Sequence, residues 1–298
     1  MQHLNSYTAY GLGICSELEC GQLLPGAGNP DVHIRVGSVP EHLADATSRT
    51  LLYECGPGRF LLGIANVARY LVTQGKEITI HPAPDADIDA IRLFLCGPAL
   101  GALLHQRGIF LLHGSAIVTQ RGAVVFSGVS GAGKSTIAGA FLRKGYRVLA
   151  DEVCAIDTTD SLRVIPGNPF LMLWADALRE TGIEAAGLQP VRRGLEKYFV
   201  PLRDGFASEA VELDSIYIVE ANDSKLSYPT PVKGLRKIEA LAQNTYRPRL
   251  VEEMKFGHRH LNRVAKMAER IPVRRISRPR GSFQLHDLVG LLEKDFAA

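Results

Sequence analysis

Gly122-Ala123-Val124-Val125-Phe126-Ser127-Gly128-Val129-Ser130-Gly131-Ala132-Gly133-Lys134-Ser135-Thr136 is the stretch whose reading decides the fold. Its first half is a short, apolar, β-branched run bounded by glycine, which reads as a buried strand. Its second half satisfies G-x-x-x-x-G-K-[ST] without deviation and leads into the helical stretch TIAGAFLRKG. Glycines let the backbone curl so that successive N–H groups point inward, and the helix that starts there adds its positive end, a combination suited to phosphate. A glycine turn ahead of an ordinary helix is the structural alternative. The strand before the loop and the helix after it favour a nucleoside triphosphate site, with Lys134 reaching the β- and γ-phosphates and the Ser135 hydroxyl on Mg²⁺. The expected cofactors are ATP and Mg²⁺, cradled by Gly128, Ser130, Gly131, Ala132, Gly133, Lys134, Ser135 and Thr136.

Outward on the C-terminal side lies RVLADEVCAID, read as the next strand. Its apolar run Leu149-Ala150 delivers Asp151 and Glu152, two adjacent carboxylates, at a strand's carboxyl end, the edge where open α/β sheets carry ligand chemistry. Only 17 positions separate Lys134 from Asp151, enough for one helix and one strand. Phosphoryl transfer needs a metal ligand and a group that accepts a proton from the attacking hydroxyl, and the pair is suited to both. A solvated strand end is the plainer reading, made weaker by the neighbouring loop. On the N-terminal side, GIFLLHGSAIV and GAVVFSG are separated by the turn-like TQR and pair as strands. His113 stands at the entry to that pair, with Gly114 behind it to allow close approach. Strand, glycine loop, helix and strand together predict an α/β fold.

The first hundred residues have a different texture. SYTAYGLGICSEL, DVHIRVGS, LLYECGPGRFLLGI and GKEITIHPAP are short strand-like runs punctuated by Gly and Pro, the pattern of a small β-rich α+β unit. Asp85 to His105 reads as a helix with an acidic start that joins it to the rest. The expected domains are therefore 1–97, an N-terminal α+β unit, and 98–298, a larger α/β domain. Further strands are expected at SIYIVEA and, as the final element, at PVRRISR, and helices at LRKIEALAQN and LVEEMKFGHRHLNRVAKMAERI. The chain of 298 residues carries 34 Lys+Arg against 31 Asp+Glu, a net charge of +3, which gives no ground for nucleic acid as a partner. Phe94 to Leu104 is interrupted by Gly97, Pro98 and Gly101 and falls short of the ~20 residues of a membrane span, and the N-terminus lacks the pattern of a secretory signal. Five scattered cysteines without a CxxC pair argue against a disulfide framework or a zinc site. A cytoplasmic chain with no membrane partner is expected.

LLHGSAIV, GVSGAGKST and RVLADEV, taken together, resemble the catalytic core of the HPr kinase/phosphorylase family, bacterial enzymes that phosphorylate a serine on a small carrier protein. The resemblance rests on a His-Gly about fifteen residues before the loop, on the loop, and on an acidic pair closing the following strand, and it covers about Gly108 to Asp157. It departs at Val129, where the family commonly has an acidic residue, and at Glu152, where it usually has Asp. The family's Glu-x-Arg-Gly-x-Gly signature, associated with dephosphorylation, is not found. The whole-chain layout is more similar to the HPr-kinase-like proteins encoded with peptide-modification machinery, among them lasso-peptide tailoring kinases acting on the C-terminal serine of a precursor peptide. The resemblance implies a P-loop kinase domain of the HPr kinase C-terminal type, a homo-oligomer, and an ATP-dependent serine kinase. In it His113 and Asp151 work on the acceptor hydroxyl, with Asp151 as the general base, while Glu152 supports the metal or the base.

Several other residues are weighed on their chemistry. Arg192, Arg193 and Lys197, in VRRGLEKYFVPL, are candidate cations for the transferring phosphoryl group, with Lys197 preferred because an apolar strand follows and fixes it; a solvated charge run is the alternative. Arg274, Arg275, Arg278 and Arg280 form a basic segment suited either to a carboxylate-ended substrate or to a solvated edge. His258 and His260 are i, i+2 on a helix and face different ways, against a metal site. Trp174, the lone tryptophan, reads as core rather than as an adenine platform. Three functions compete: a kinase acting on a serine of a peptide or small protein, a kinase for a small-molecule alcohol, which needs a closed pocket, and a non-catalytic nucleotide-gated interaction protein. Lys134 together with the acidic pair favours the enzymes.

Overall fold

The computed structural model describes residues 4–223, 225–280 and 284–297. The first three residues, read above for a signal sequence, and Gly281, the end of the basic segment, lie outside them. The chain divides into two compact units, one running to Leu111 and taking in Arg247–His260, the other made of Leu112–Tyr246 with the segment from Leu261 onward.

In the first unit, nine strands form one mixed sheet among the described residues. Side chains alternate between core and solvent along Leu12–Ser16 and Ala68–Thr73, as a half-buried strand requires. Pro57-Gly58 turns Tyr53–Gly56 into Arg59–Ile64, at the position the Gly-Pro-Gly run marks. The helical stretch Ile88–Gln106 starts where the Asp87 side chain accepts from the Asp89 N–H, and it passes through a wide turn at Leu95–Ala99 that accommodates Pro98. It is long and apolar enough to cross a membrane, yet two thirds of it is buried within the protein. Core packing accounts for its composition. Four of the five cysteines are buried.

In the second unit, β1 (Phe110–Val118), β2 (Ala123–Ser127), β3 (Val148–Ala150), β4 (Val153–Asp157), β5 (Arg163–Ile165), β6 (Phe170–Trp174), β7 (Lys197–Pro201), β8 (Val211–Asn222) and β9 (Val273–Pro279) surround three helices that matter for the site: α1 (Lys134–Arg143), α2 (Ala175–Thr181) and α3 (Leu285–Phe296). The sheet runs β3-β1-β2-β8-β9, with β2 parallel to β8 and β8 parallel to β9. Gly114 faces Ser127, Ala116 faces Ala150 and Ala221 faces Arg278 in register. The start of β1 and the carboxyl ends of β2, β3, β8 and β9 therefore share one edge. Beneath that edge α1 packs Ile137, Ala138 and Phe141 onto Phe126, Tyr217 and Val219 of the sheet and onto Leu288 of α3. Phe126 and Phe141 stack at 5.7 Å.

Three sequence expectations change. RVLADEVCAID is two strands, β3 and β4, broken at the acidic pair because Glu152 adopts a left-handed backbone, φ +68°. The long helix expected from Leu250 is two, Pro248–Glu253 and Gly257–Arg270, interrupted where Lys255 is left-handed at φ +62°. β9 is not the last element, since α3 follows it and buries Leu285, Leu288, Val289 and Leu292.

Candidate functional site

The glycine loop joins β2 to α1. Gly128 has φ +151°, and a Cβ there would lie 2.4 Å from the Val219 carbonyl oxygen, so no other residue lets β2 leave the sheet beside β8. Gly133 is left-handed, φ +97°, immediately before the helix. The α1 N-terminus consequently faces the loop with its unbonded N–H groups.

Lys134 is only 6% exposed, and its ammonium donates to the carbonyls of Gly128 and Val129, each at 2.9 Å. Burial pushes its pKa below the ordinary lysine value; Glu152 and Asp151 pull it back up, and the Lys197 cation adds to the lowering. Both lysines line one cavity. Lys197 also lies 5.9 Å from the Trp174 ring centroid, opposite Trp174 in the β6–β7 ladder. Trp174 is 50% exposed, not core: Leu171 and Leu173 take the inward face of β6, which turns Met172 and Trp174 outward.

Asp151 is the centre of the buried polar geometry. Its Oδ1 accepts from the Ser135 hydroxyl at 2.7 Å and the Ser115 hydroxyl at 2.6 Å, and its Oδ2 accepts from the Met172 N–H at 2.8 Å. Three of roughly four acceptor positions on the carboxylate are thus taken. Glu152 differs. Its side chain makes no hydrogen bond or ion pair among the described residues, and it lines, with His113, a cavity of about 680 Å³ that reaches across the loop to Lys197 and Trp174. His113 is anchored by its backbone, its N–H donating to Asn244 O and its carbonyl accepting from the Ser127 hydroxyl; its ring meets Tyr246 edge-on at 6.3 Å.

Arg278 completes the far wall. It is 7% exposed, and its guanidinium donates to the carbonyls of Ala132 at 2.8 Å and Gly131 at 3.1 Å, with burial lowering its pKa. A planar fork spanning two successive carbonyls fixes the loop. The sequence marked Arg278 only as one of four basic residues. The register of β9 beside β8 distinguishes it from Arg274, which pairs with the buried Asp295 at 2.7 Å, and Arg275, which pairs with Glu220 at 3.0 Å. Ser115 was not singled out by sequence either; its spacing of two from His113 on a strand was the available signal.

The structure thus brings His113, Lys134, Ser135, Thr136, Glu152 and Lys197 around one cavity, with Asp151 directly behind it. Arg192 and Arg193 are not among its lining residues. No family model matches the chain, and no curated protein matches it. Among solved structures, it is similar to the Hpr(Ser) kinase/phosphatase from Coxiella burnetii, with a TM-score of 0.34 and 12% identity over 63% of this chain and 90% of that one.

Proposed function

We propose that the protein is an ATP-dependent kinase that transfers the γ-phosphoryl group to a serine hydroxyl of a peptide or small protein. The observation that carries this reading is the Ser135–Asp151 contact directly behind a glycine loop whose lysine is buried and bonded only to the loop's own carbonyls. Lys134 has its charge in place and weak partners that phosphate oxygens outcompete. The donor set also fits Mg²⁺. Among the described residues no cluster of three or more His, Cys, Asp or Glu could hold a metal, whereas Mg²⁺ at phosphate sites takes one or two protein oxygens and completes its shell with phosphate and water. Ser135 lines the cavity and supplies such an oxygen, with Asp151 holding its hydroxyl from behind. When bound, Mg²⁺ neutralises charge on the β- and γ-phosphates.

The remaining roles follow from access. Asp151, held by three donors and absent from the cavity lining, serves the metal side through Ser135. Glu152, unengaged and facing the cavity, accepts the proton of the attacking hydroxyl; a positioned carboxylate in that role contributes roughly 10²- to 10⁴-fold. This exchanges the two carboxylate roles implied by the family resemblance. His113 stands on the acceptor side, and Lys197, lining the same cavity as Lys134, stabilises the charge of the transferring group. Glu152 holds a left-handed backbone that costs a non-glycine residue on the order of 1–3 kcal/mol, as strained functional positions do.

The test is transfer from γ-labelled ATP to three acceptor sets: peptides ending in serine, a small serine-bearing carrier protein, and small alcohols. Label in a peptide or protein serine that disappears with Lys134→Ala supports the proposal. Label only in small alcohols would replace it with the second class of kinase, and nucleotide binding without any transfer would leave a gated binding protein.

A further inference from the structure

Ser115 carries a role that neither the glycine loop nor the acidic pair explains. It is fully buried on β1, facing Phe126 of β2 in register, two residues from His113. Its hydroxyl and that of Ser135 converge on the same oxygen of Asp151, at 2.6 and 2.7 Å, while the Met172 N–H holds the other oxygen at 2.8 Å. We infer that Ser115 is a positioning residue for the metal: through Asp151 it fixes the direction in which the Ser135 hydroxyl presents its oxygen. This rests on the reading of the site as a Mg-nucleotide site.

The argument is one of constraint. A carboxylate bonded at a single oxygen still swings about its last torsion; one bonded at both oxygens by groups on two separately paired strands does not. Ser115 and Met172 belong to β1 and β6, so they hold Asp151 in place whether or not Ser135 is engaged. The Ser135 O–H then has one fixed acceptor, and both lone pairs of its oxygen are turned away from Asp151. Without Ser115, Asp151 keeps the Met172 N–H of the β6–β7 pair as its sole donor on a paired strand, and Ser135 aims its hydroxyl at a moving target. Removing a partner that orients a metal ligand typically costs about 10- to 100-fold in metal affinity.

The experiment measures ATP binding to the full chain twice, once with EDTA and once along a Mg²⁺ titration, in the wild type, Ser115→Ala and Ser115→Cys, with thermal unfolding of each. Trp174, the sole tryptophan and a wall of the cavity, provides the fluorescence signal, and calorimetry checks it. Expected for Ser115→Ala is a rise of roughly 10- to 100-fold in the Mg²⁺ concentration at half-effect, with metal-free ATP affinity within about twofold of wild type and a smaller rise in Ser115→Cys, which keeps a weak donor. An unchanged Mg²⁺ midpoint overturns the inference. So does a metal-free affinity that falls in step with the metal-dependent one, because Ser115 would then only support the fold. If the wild type itself fails to bind ATP, it is the reading of the site that has failed.

Discussion

Glu152→Gln is the substitution that separates the two carboxylates. It keeps the backbone, the side-chain length and the left-handed φ of +68°, and removes only the capacity to accept a proton. A serine hydroxyl is a poor nucleophile, and losing a positioned general base lowers the rate roughly 10²- to 10⁴-fold, about 3–5 kcal/mol of barrier. Glu152 bonds to none of the loop, Ser135 or Asp151, so Mg-ATP affinity should move by less than about tenfold, ~1.4 kcal/mol. Asp151→Asn should show the opposite balance. The amide keeps one acceptor oxygen for the two hydroxyls at Oδ1, or for Met172, but not for both sides, and the Mg²⁺ requirement should rise. Single-turnover transfer from γ-labelled ATP, with Mg²⁺ titrated in each variant, reads both quantities. Full single-turnover rates in Glu152→Gln, with the rate loss confined to Asp151→Asn at an unchanged Mg²⁺ midpoint, would refute the reasoning and make Asp151 the base.

Gly128→Ala sets a methyl against the Val219 carbonyl in a backbone region closed to L-residues; it should cost at least about 2 kcal/mol of stability and all ATP binding, read by urea unfolding and calorimetry. Arg278→Ala removes two charged donors from the loop carbonyls and should cost about 2–3 kcal/mol, and Arg278→Lys should recover less than half of it, because one ammonium cannot span both carbonyls as the planar fork does. Burial lowers the Lys134 pKa below 10.5 in the fold, so between the folded value and 10.5 the unfolded chain holds the extra proton and the wild type gains stability as pH rises. The unfolding free energy of wild type minus that of Lys134→Met should therefore increase toward pH 10.5; a flat or falling difference would mean that the ammonium is not desolvated.

The glycine loop was legible because its chemistry is local. Each of its three glycines has a positive φ, and the residues proposed to hold phosphate form one continuous run, Gly128 to Thr136. The strand at SIYIVEA is legible as an apolar run, whereas SYTAYGLGICSEL is two strands, Asn5–Ala9 and Leu12–Ser16, folded back on each other, and ARYLVT, which alternates cleanly, is not among the expected strands. What the sequence hid is long-range. Asp151 and Glu152 are neighbours in the chain with the same chemistry, and only the turn at Glu152 sends one behind the loop and the other into the cavity. Arg278 stands among four arginines and is distinguished by the parallel register of β9 on β8. Trp174 looks apolar in FLMLW, but the inward face of β6 was already filled by Leu171 and Leu173. Ser115, a small polar residue in an apolar strand, gains meaning only from Asp151, 36 residues away.

Calorimetric titration of ATP with Mg²⁺ into the wild type and Lys134→Ala tests most directly whether a triphosphate and its metal are held between Lys134 and the Ser135–Asp151 pair. The prediction is one nucleotide bound per chain in the wild type, with affinity at least about tenfold weaker in the variant, ~1.4 kcal/mol, since the buried ammonium bonded to the loop carbonyls is gone. A wild type that shows no binding, or a variant that binds Mg-ATP as tightly as the wild type, would contradict it.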